Sequence, residues 1–337
     1  MKRVLPASIV ALALIALAIP LATAIGPSTL AVDRVLAVLL GVARDVAPWE
    51  RAVVLDVRLP RVVVALLGGA ALGLSGAAMQ GLFRNSLAEP GVLGVSGGAT
   101  LGAIVALYAG AALPLVVVPG AAFAGALGCA LVVYRLASAG GRARTASLLL
   151  AGVAVSGVAT ALASMVLSIA VADWELGRQM LSWMMGGLEG RSWTHAAIVA
   201  PPIVVGGGLL FARARELDAL ALGEESAAGL GVDVPALRRA VLMLVALATG
   251  ATVAVMGAIA FLGLMAPHVV RLIVGPAHRR VLVGSAVAGG LGLVAADALC
   301  RAVAGSVDLR PGVVTAILGG PFFLWLLVRD RAAGGEE

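Results

Sequence analysis

The sequence predicts an all-α integral membrane protein with about ten transmembrane helices in two inverted-repeat halves. Three observations predict it. First, 61% of the residues are hydrophobic and only 12% are charged, whereas a soluble domain carries about 25% charged residues to face water. Second, apolar runs long enough to cross a bilayer follow one another along most of the chain. Third, the basic residues sit in short loops between those runs. That is the pattern the positive-inside rule produces. The net charge of +6 is therefore read as topology. A nucleic-acid partner is excluded, because no basic patch carries interleaved aromatics.

Taken in order, MKR and the apolar run Val4–Ile25 suit either a cleavable signal peptide, with Ala22-Thr23-Ala24 as its end, or a first span that stays. A retained helix is expected, since later spans then alternate regularly. Residues 26–57 carry Asp33, Arg34, Arg44, Asp45, Glu50, Arg51 and Asp56. They read as a loop with an amphipathic segment. Further spans are expected near 60–82, 91–109, 113–134, 147–171, 194–212, 237–256, 258–274, 281–301 and 311–328. The span at 258–274 is short and reads as partial or bent. Together these make one transmembrane domain, residues 1–337, with halves of about 1–190 and 191–337 and a polar interior loop at 213–239.

With a cytoplasmic N-terminus, fifteen of the 24 basic residues fall on the cytoplasmic side and nine on the other. The bias predicts an even number of spans and both termini inside. A shift of 177 residues brings Arg61 onto Arg238, Gly73 onto Gly250, Leu87 onto Leu264 and Pro90 onto Pro267. The two copies would cross the bilayer in opposite senses, as transporter repeats do.

The residues exclude most chemistry. A P-loop needs a lysine, and the only one is Lys2. There is no H-E-x-x-H and no carboxylate pair within one span. His195, His268 and His278 are scattered, so no metal site is expected. Cys129 and Cys300 lack metal or redox spacing and read as packing residues. Asp297 lies four residues before Arg301, which permits pairing on one helix face.

The loop RARELDALALGEESAAGLGVDVPALRR, residues 213–239, is too charged to span. It is expected to form two short helices around Gly229–Gly231. Ala219, Leu220, Leu222, Ala227, Ala228 and Leu230 would make an apolar face opposite Glu224 and Glu225. It reads either as a solvated loop or as a rigid knob offered to a soluble partner.

Five stretches, in order, carry a resemblance. They are RLPRVVVALLGGAALGLSGAAMQGLFRNSLAEPGVLGVSGG, RQMLSWMMGGLEGRSW, LALGEESAAGLGV, GAIAFLGLMAPHVVRLIVG and PGVVTAILGGPFFLWLL. The chain resembles permease subunits of the vitamin B12 and iron-chelate ABC importers, the FecCD-type family. The matching motif positions include Gln80, Arg84, Asn85, Pro90, Pro267, His268, Arg271 and Asp297. Two departures stand out: Ser86 occupies a usual proline position, and Asp308-Leu-Arg310-Pro311-Gly312 replaces a more usual ELPxG.

The resemblance implies a type II ABC importer permease fold in the cytoplasmic (inner) membrane. Two copies would pair around a central path, within the lipid bilayer. Two ATP-binding subunits would dock on the cytoplasmic face, and a periplasmic or lipid-anchored binding protein on the other. No cofactor is implied in this chain, since ATP and Mg belong to the partner subunits, and the chain itself is no enzyme. The coupling loop would be Leu220–Val232, touching the ATPases through Leu220, Leu222, Gly223, Glu224, Glu225, Ala228, Leu230 and Gly231. Arg58, Arg61 and Arg301 would receive acidic residues of the binding protein; otherwise they anchor the membrane interface. Thr145, Ala146 and Ser147 would form the cytoplasmic gate, or simply allow close helix packing. The cargo would be a bulky iron chelate, a ferric siderophore or haem, with cobalamin as the alternative. An ion-coupled secondary transporter is the more distant reading, because it too would use inverted repeats.

Overall fold

A computed structural model describes residues 4–28, 30–42, 46–110, 114–139, 145–303 and 309–334. Among these the regular structure is helical throughout. In chain order the α-helices are α1 Val4–Ala24, α2 Val32–Leu39, α3 Pro48–Ala52, α4 Leu59–Phe83, α5 Val95–Ala109, α6 Val117–Ser138, α7 Thr145–Ala170, α8 Trp174–Met184, α9 Trp193–Ala212, α10 Ala214–Ala221, α11 Glu224–Gly229, α12 Val234–Met256, α13 Leu262–Val274, α14 His278–Val303 and α15 Pro311–Gly334. Each expected span finds a helix: α1, α4, α5, α6, α7, α9, α12, α13, α14 and α15. Six helical stretches are long and apolar enough to cross a membrane. α5, α13 and the apolar parts of α1 and α15 are shorter.

The differences from expectation have local causes. The span expected from residue 91 begins at Val95. Pro90–Leu93 forms a 3₁₀ turn that ends on Gly94 at φ 78°, a conformation that glycine adopts without strain. The short span narrows to α13, because residues 257–260 leave the helical path and Phe261 sits at φ 64°. In the 26–57 region α2 buries Val35 and Val38 as an amphipathic helix. There α3 runs through a π-turn, Val53–Arg58, straight into α4. The segment after α7 contains α8, whose N-terminus is capped by Asp173 through the amides of Glu175 and Leu176.

α4 is the axis of the bundle. It packs against α14, α13, α12 and α9, and Val64, Ala65, Ala77, Ala78 and Met79 are fully buried. Its Gly69 and Gly73 lie one turn apart against α14. A Cβ at Gly69 would fall 2.2 Å from the Gly289 carbonyl oxygen, and one at Gly73 would fall 2.0 Å from that of Ser285. Only glycine permits such an approach, which is the small-residue packing of membrane helices. α5 meets α6 the same way, through Gly98 against Gly125 and Gly102 against Ala121. By contrast α7 leaves much of its surface uncovered, including Leu150, Val153, Val158, Met165 and Ile169.

The 177-residue echo has a backbone counterpart. Among the described residues, the non-glycine residues with positive φ are Arg84 and Phe261, which that shift superimposes. Arg84 ends α4 and Phe261 precedes α13.

Candidate functional site

The two ends of the bundle carry the polar side chains. At one end α10 and α11 form a knob outside the apolar runs. Leu217, Leu220 and Ala227 seat it on the core that α4, α12 and α6 share. Leu222 and Leu230 stand outward, 69% and 66% exposed, beside exposed Glu225 and Ala228. Two expectations are corrected here. The helices break at Leu222–Gly223, where Gly223 takes φ 117°, before a second turn at Gly231. Moreover, the predicted apolar face is divided. Leu220 is 1% exposed, so it anchors the knob and presents nothing to a partner. Leu222, Ala228 and Leu230 do the reverse. Two short helices with different axes cannot keep all six apolar residues on one side.

Glu224 is pinned by Arg238 of α12 at 2.7 Å, while Asp233 accepts from the Ala236 amide and caps α12. Both acids, with Glu225, line an open groove whose other wall is Tyr134 and Ser138 of α6. This places the end of α6, and so the start of α7, at the knob end. Ala146 and Ser147 are exposed in the first turn of α7. The side chain of Thr145 lies outside the described residues.

Several of the motif positions lie on α4, α13 and the turn between α4 and α5. The side-chain oxygen of Gln80 accepts from the Arg271 guanidinium, and its amide donates to the Leu264 carbonyl at 3.3 Å. These contacts bind α4 to α13. Asn85 accepts from the Leu87 amide at 2.9 Å, a side-chain turn that replaces the rigidity of the proline absent at Ser86. Pro90 opens the 3₁₀ turn, and Pro267 is buried within α13. His268 stacks edge-on against Phe322 and Trp325 of α15. His195 caps α9, its Nδ1 accepting from the Ser192 amide at 3.2 Å. His268 and His195 thus have separate structural partners.

At the opposite end lies an arginine-rich rim. Asp297 is 1% exposed. It pairs with Arg301 at 2.9 Å, as the i, i+4 spacing predicts, and also accepts a bidentate pair of bonds from Arg61 at 2.7 and 2.9 Å. Arg58 is buried and donates to the carbonyls of Thr23, Ala24 and Ser28. Arg301 donates to those of Ala22 and Ile25. These are the last carbonyls of α1 and those just beyond, which lack helical partners. The docking expectation for Arg58 and Arg301 is corrected accordingly: in this conformation both are spent inside the subunit, fastening α1 to α4 and α14. Arg61 keeps 15% of its side chain exposed.

Four charged residues outside the candidate set make contacts of their own: Arg310, Glu189 and Arg191 at the rim, and Glu89 between α4 and α5. Arg310 pairs with Glu189. Burial pushes the Arg191 guanidinium down to about 10, with Arg61 and Arg310 adding repulsion and Glu189 opposing it. Glu89 accepts from the Phe261 amide, and burial pushes its carboxyl up against that bond. No short motif contains these pairs, since their members lie 121 and 172 residues apart.

A multi-span helical bundle with a soluble-facing knob at one end and a charged rim at the other has the form of a membrane transport subunit. Comparison with known proteins identifies which kind. The FecCD transport family matches residues 12–329. The cobalamin import system permease protein BtuC of Halobacterium salinarum is 46% identical over 83% of this chain and 74% of its own length. The hemin transport system permease protein HmuU of Yersinia pestis is 40% identical over 82% of this chain and 83% of its own. The Fe(3+) dicitrate transport system permease protein FecD of Escherichia coli is 40% identical over 83% and 86%. A solved metal-chelate-type ABC transporter in an inward-facing conformation superposes with a TM-score of 0.83 and 27% identity, covering 95% of this chain and 97% of that one. The chain belongs to the FecCD transport family and is a multi-pass membrane permease of the ABC importer type.

Proposed function

We propose that this chain is the membrane-spanning subunit of an importer that carries a bulky iron chelate, a ferric siderophore or haem, across the inner membrane at the expense of ATP. Two copies enclose the path, and two ATP-binding subunits, which hold the ATP and Mg, dock on the knob at the cytoplasmic face. Both termini lie on that side. A periplasmic or lipid-anchored binding protein docks on the arginine-rich rim. The observation that carries the reading is the knob: Leu217, Leu220 and Ala227 hold it rigidly while Leu222, Glu225, Ala228 and Leu230 face outward. A permease without a P-loop lysine of its own needs such a surface to receive the work of ATP hydrolysis.

At the rim, Arg58, Arg61, Arg191, Arg301 and Arg310 outnumber Asp297 and Glu189. Arg61 is the contact residue of this set. The buried guanidinia act through the net positive field, which draws acidic partners in and fixes their register. On α7, exposed Thr160, Ser164 and Ser168 recur every four residues. Hydroxyls at that spacing suit a path or a second copy better than lipid. Ala146 and Ser147 stand at its cytoplasmic end, where two copies approach.

Cobalamin is the second reading, favoured by the relative at 46% identity. The experiment is uptake into vesicles holding the assembled permease, ATPase and binding protein, with labelled ferric siderophore, haem and cobalamin in turn. ATP-dependent uptake of an iron chelate is expected. Uptake of cobalamin alone selects the second reading. Absence of any associated ATPase overturns both.

A further inference from the structure

Besides the Glu224–Arg238 pair, the knob reaches the rest of the bundle through a second polar contact. Asp218 lies on α10. One of its carboxylate oxygens accepts from the backbone amide of His278 at 2.8 Å and from that residue's ring Nδ1, also at 2.8 Å. An ionised carboxylate only accepts, so Nδ1 carries the proton. His278 is the first residue of α14, where the unpaired amides of a helix favour negative charge. Its ring is buried, and its Nε2 has no hydrogen-bond partner among the described residues. The ring instead sits against α4, where a Cβ at Gly81 would come within 2.3 Å of Nε2. Asp218, His278 and Gly81 therefore lock three helices together beneath the knob.

From that lock α14 runs for 26 residues, about 39 Å at ~1.5 Å per residue. Along the way Gly69 and Gly73 of α4 hold it at backbone contact, so the two helices cannot slide past each other without separating. Its far end carries Asp297 and Arg301, the centre of the rim network. One helix thus has one end fixed to the knob and the other to the rim.

Resting on the importer reading, we infer that Asp218 is a positioning residue for transport. It makes α14 the element that carries a docking signal from the rim to the ATP-binding subunits. Packed interfaces of this kind switch between discrete arrangements and so pass small displacements on.

The test uses the reconstituted permease–ATPase assembly and its binding protein, loaded with whichever cargo the wild type imports. The reading is the ratio of ATPase rate with loaded binding protein to the rate without it. Asp218→Ala is expected to lower that ratio at least ~5-fold, the low end of usual coupling between sites, while the ATPase still co-purifies. Asp218→Asn, whose amide oxygen still accepts both bonds, keeps the ratio near wild type. Gly81→Ala, which forces the His278 ring aside without touching α10, repeats the loss. Arg61→Ala combined with Asp218→Ala adds no further loss, although distant sites ordinarily add. A wild-type ratio in both Asp218→Ala and Gly81→Ala overturns the inference. So does equal loss in the Ala and Asn variants, or independent effects at Asp218 and Arg61. If the wild-type assembly itself imports nothing, the importer reading fails instead.

Discussion

Arg84 and Phe261 lie 177 residues apart and share a left-handed backbone, at φ 51° and 64°. Each stands where a long buried helix gives way to a short segment that opens the next crossing. An L-residue pays roughly 1–2 kcal/mol for this conformation, so its recurrence at matched positions marks the same architectural corner used twice. Arg84 is exposed, which makes its backbone cost separable from packing. Arg84→Val is expected to be less stable than Arg84→Gly by about 2 kcal/mol. Denaturant unfolding of both variants in detergent measures the difference.

The fastening of Asp297 by Arg61 and Arg301 leads to a larger effect. Removing one member of a buried ion pair leaves an uncompensated charge, at a cost of about 3–5 kcal/mol. Asp297→Ala leaves two guanidinia facing each other and is expected to lose stability of that size. The loss should be greater than for Arg178→Ala, whose pair with Glu175 is exposed at both ends. Equal losses would show that the rim network contributes no more than a surface pair.

Glu89 gives a pH dependence with a definite sign. Burial raises its folded-state pKa above the unfolded one. Its stabilising contribution is therefore present below the unfolded value, about 4.3, and is lost as pH rises through the folded pKa. Glu89→Gln keeps an oxygen for the Phe261 amide and removes the charge. The variant is expected to melt higher than wild type at pH 7, with the advantage vanishing near pH 4. Thermal melts at the two pH values provide the comparison.

The divided face of the knob separates binding from folding. Leu222→Asp and Leu230→Asp change exposed positions and are expected to shift stability by no more than about 0.5 kcal/mol. Both should still reduce co-purification of the ATP-binding subunits severalfold. Leu220→Asp places a charge in the core and is expected to prevent accumulation of the folded permease. Joint measurement of melting temperature and ATPase recovery distinguishes these outcomes.

Much of this molecule was legible along the chain. Spans such as 60–82 and 237–256 announce themselves because the bilayer demands unbroken apolar length, and helices satisfy their backbone locally. The i, i+4 pair Asp297–Arg301 and the knob at 213–239 were readable for the same reason: both are set by neighbours in sequence. The break falls at Leu222–Gly223 and not around Gly229–Gly231, since a glycine at either place can end so short a helix.

What the sequence by itself determined, then, is a multi-span helical protein with its charges at the ends. Only the tertiary structure decided which of those charges are free. Arg58 and Arg301 read as outward-facing, yet they close on the end of α1. Arg61 finds Asp297 across 236 residues, and Asp218 finds His278 across 60. Guanidinium and carboxylate groups bond to whatever packing brings within about 3 Å, and that proximity is created when α1, α4, α10 and α14 come together. Periodicity records which way a helix faces, but the partner it meets there is settled by the assembled bundle.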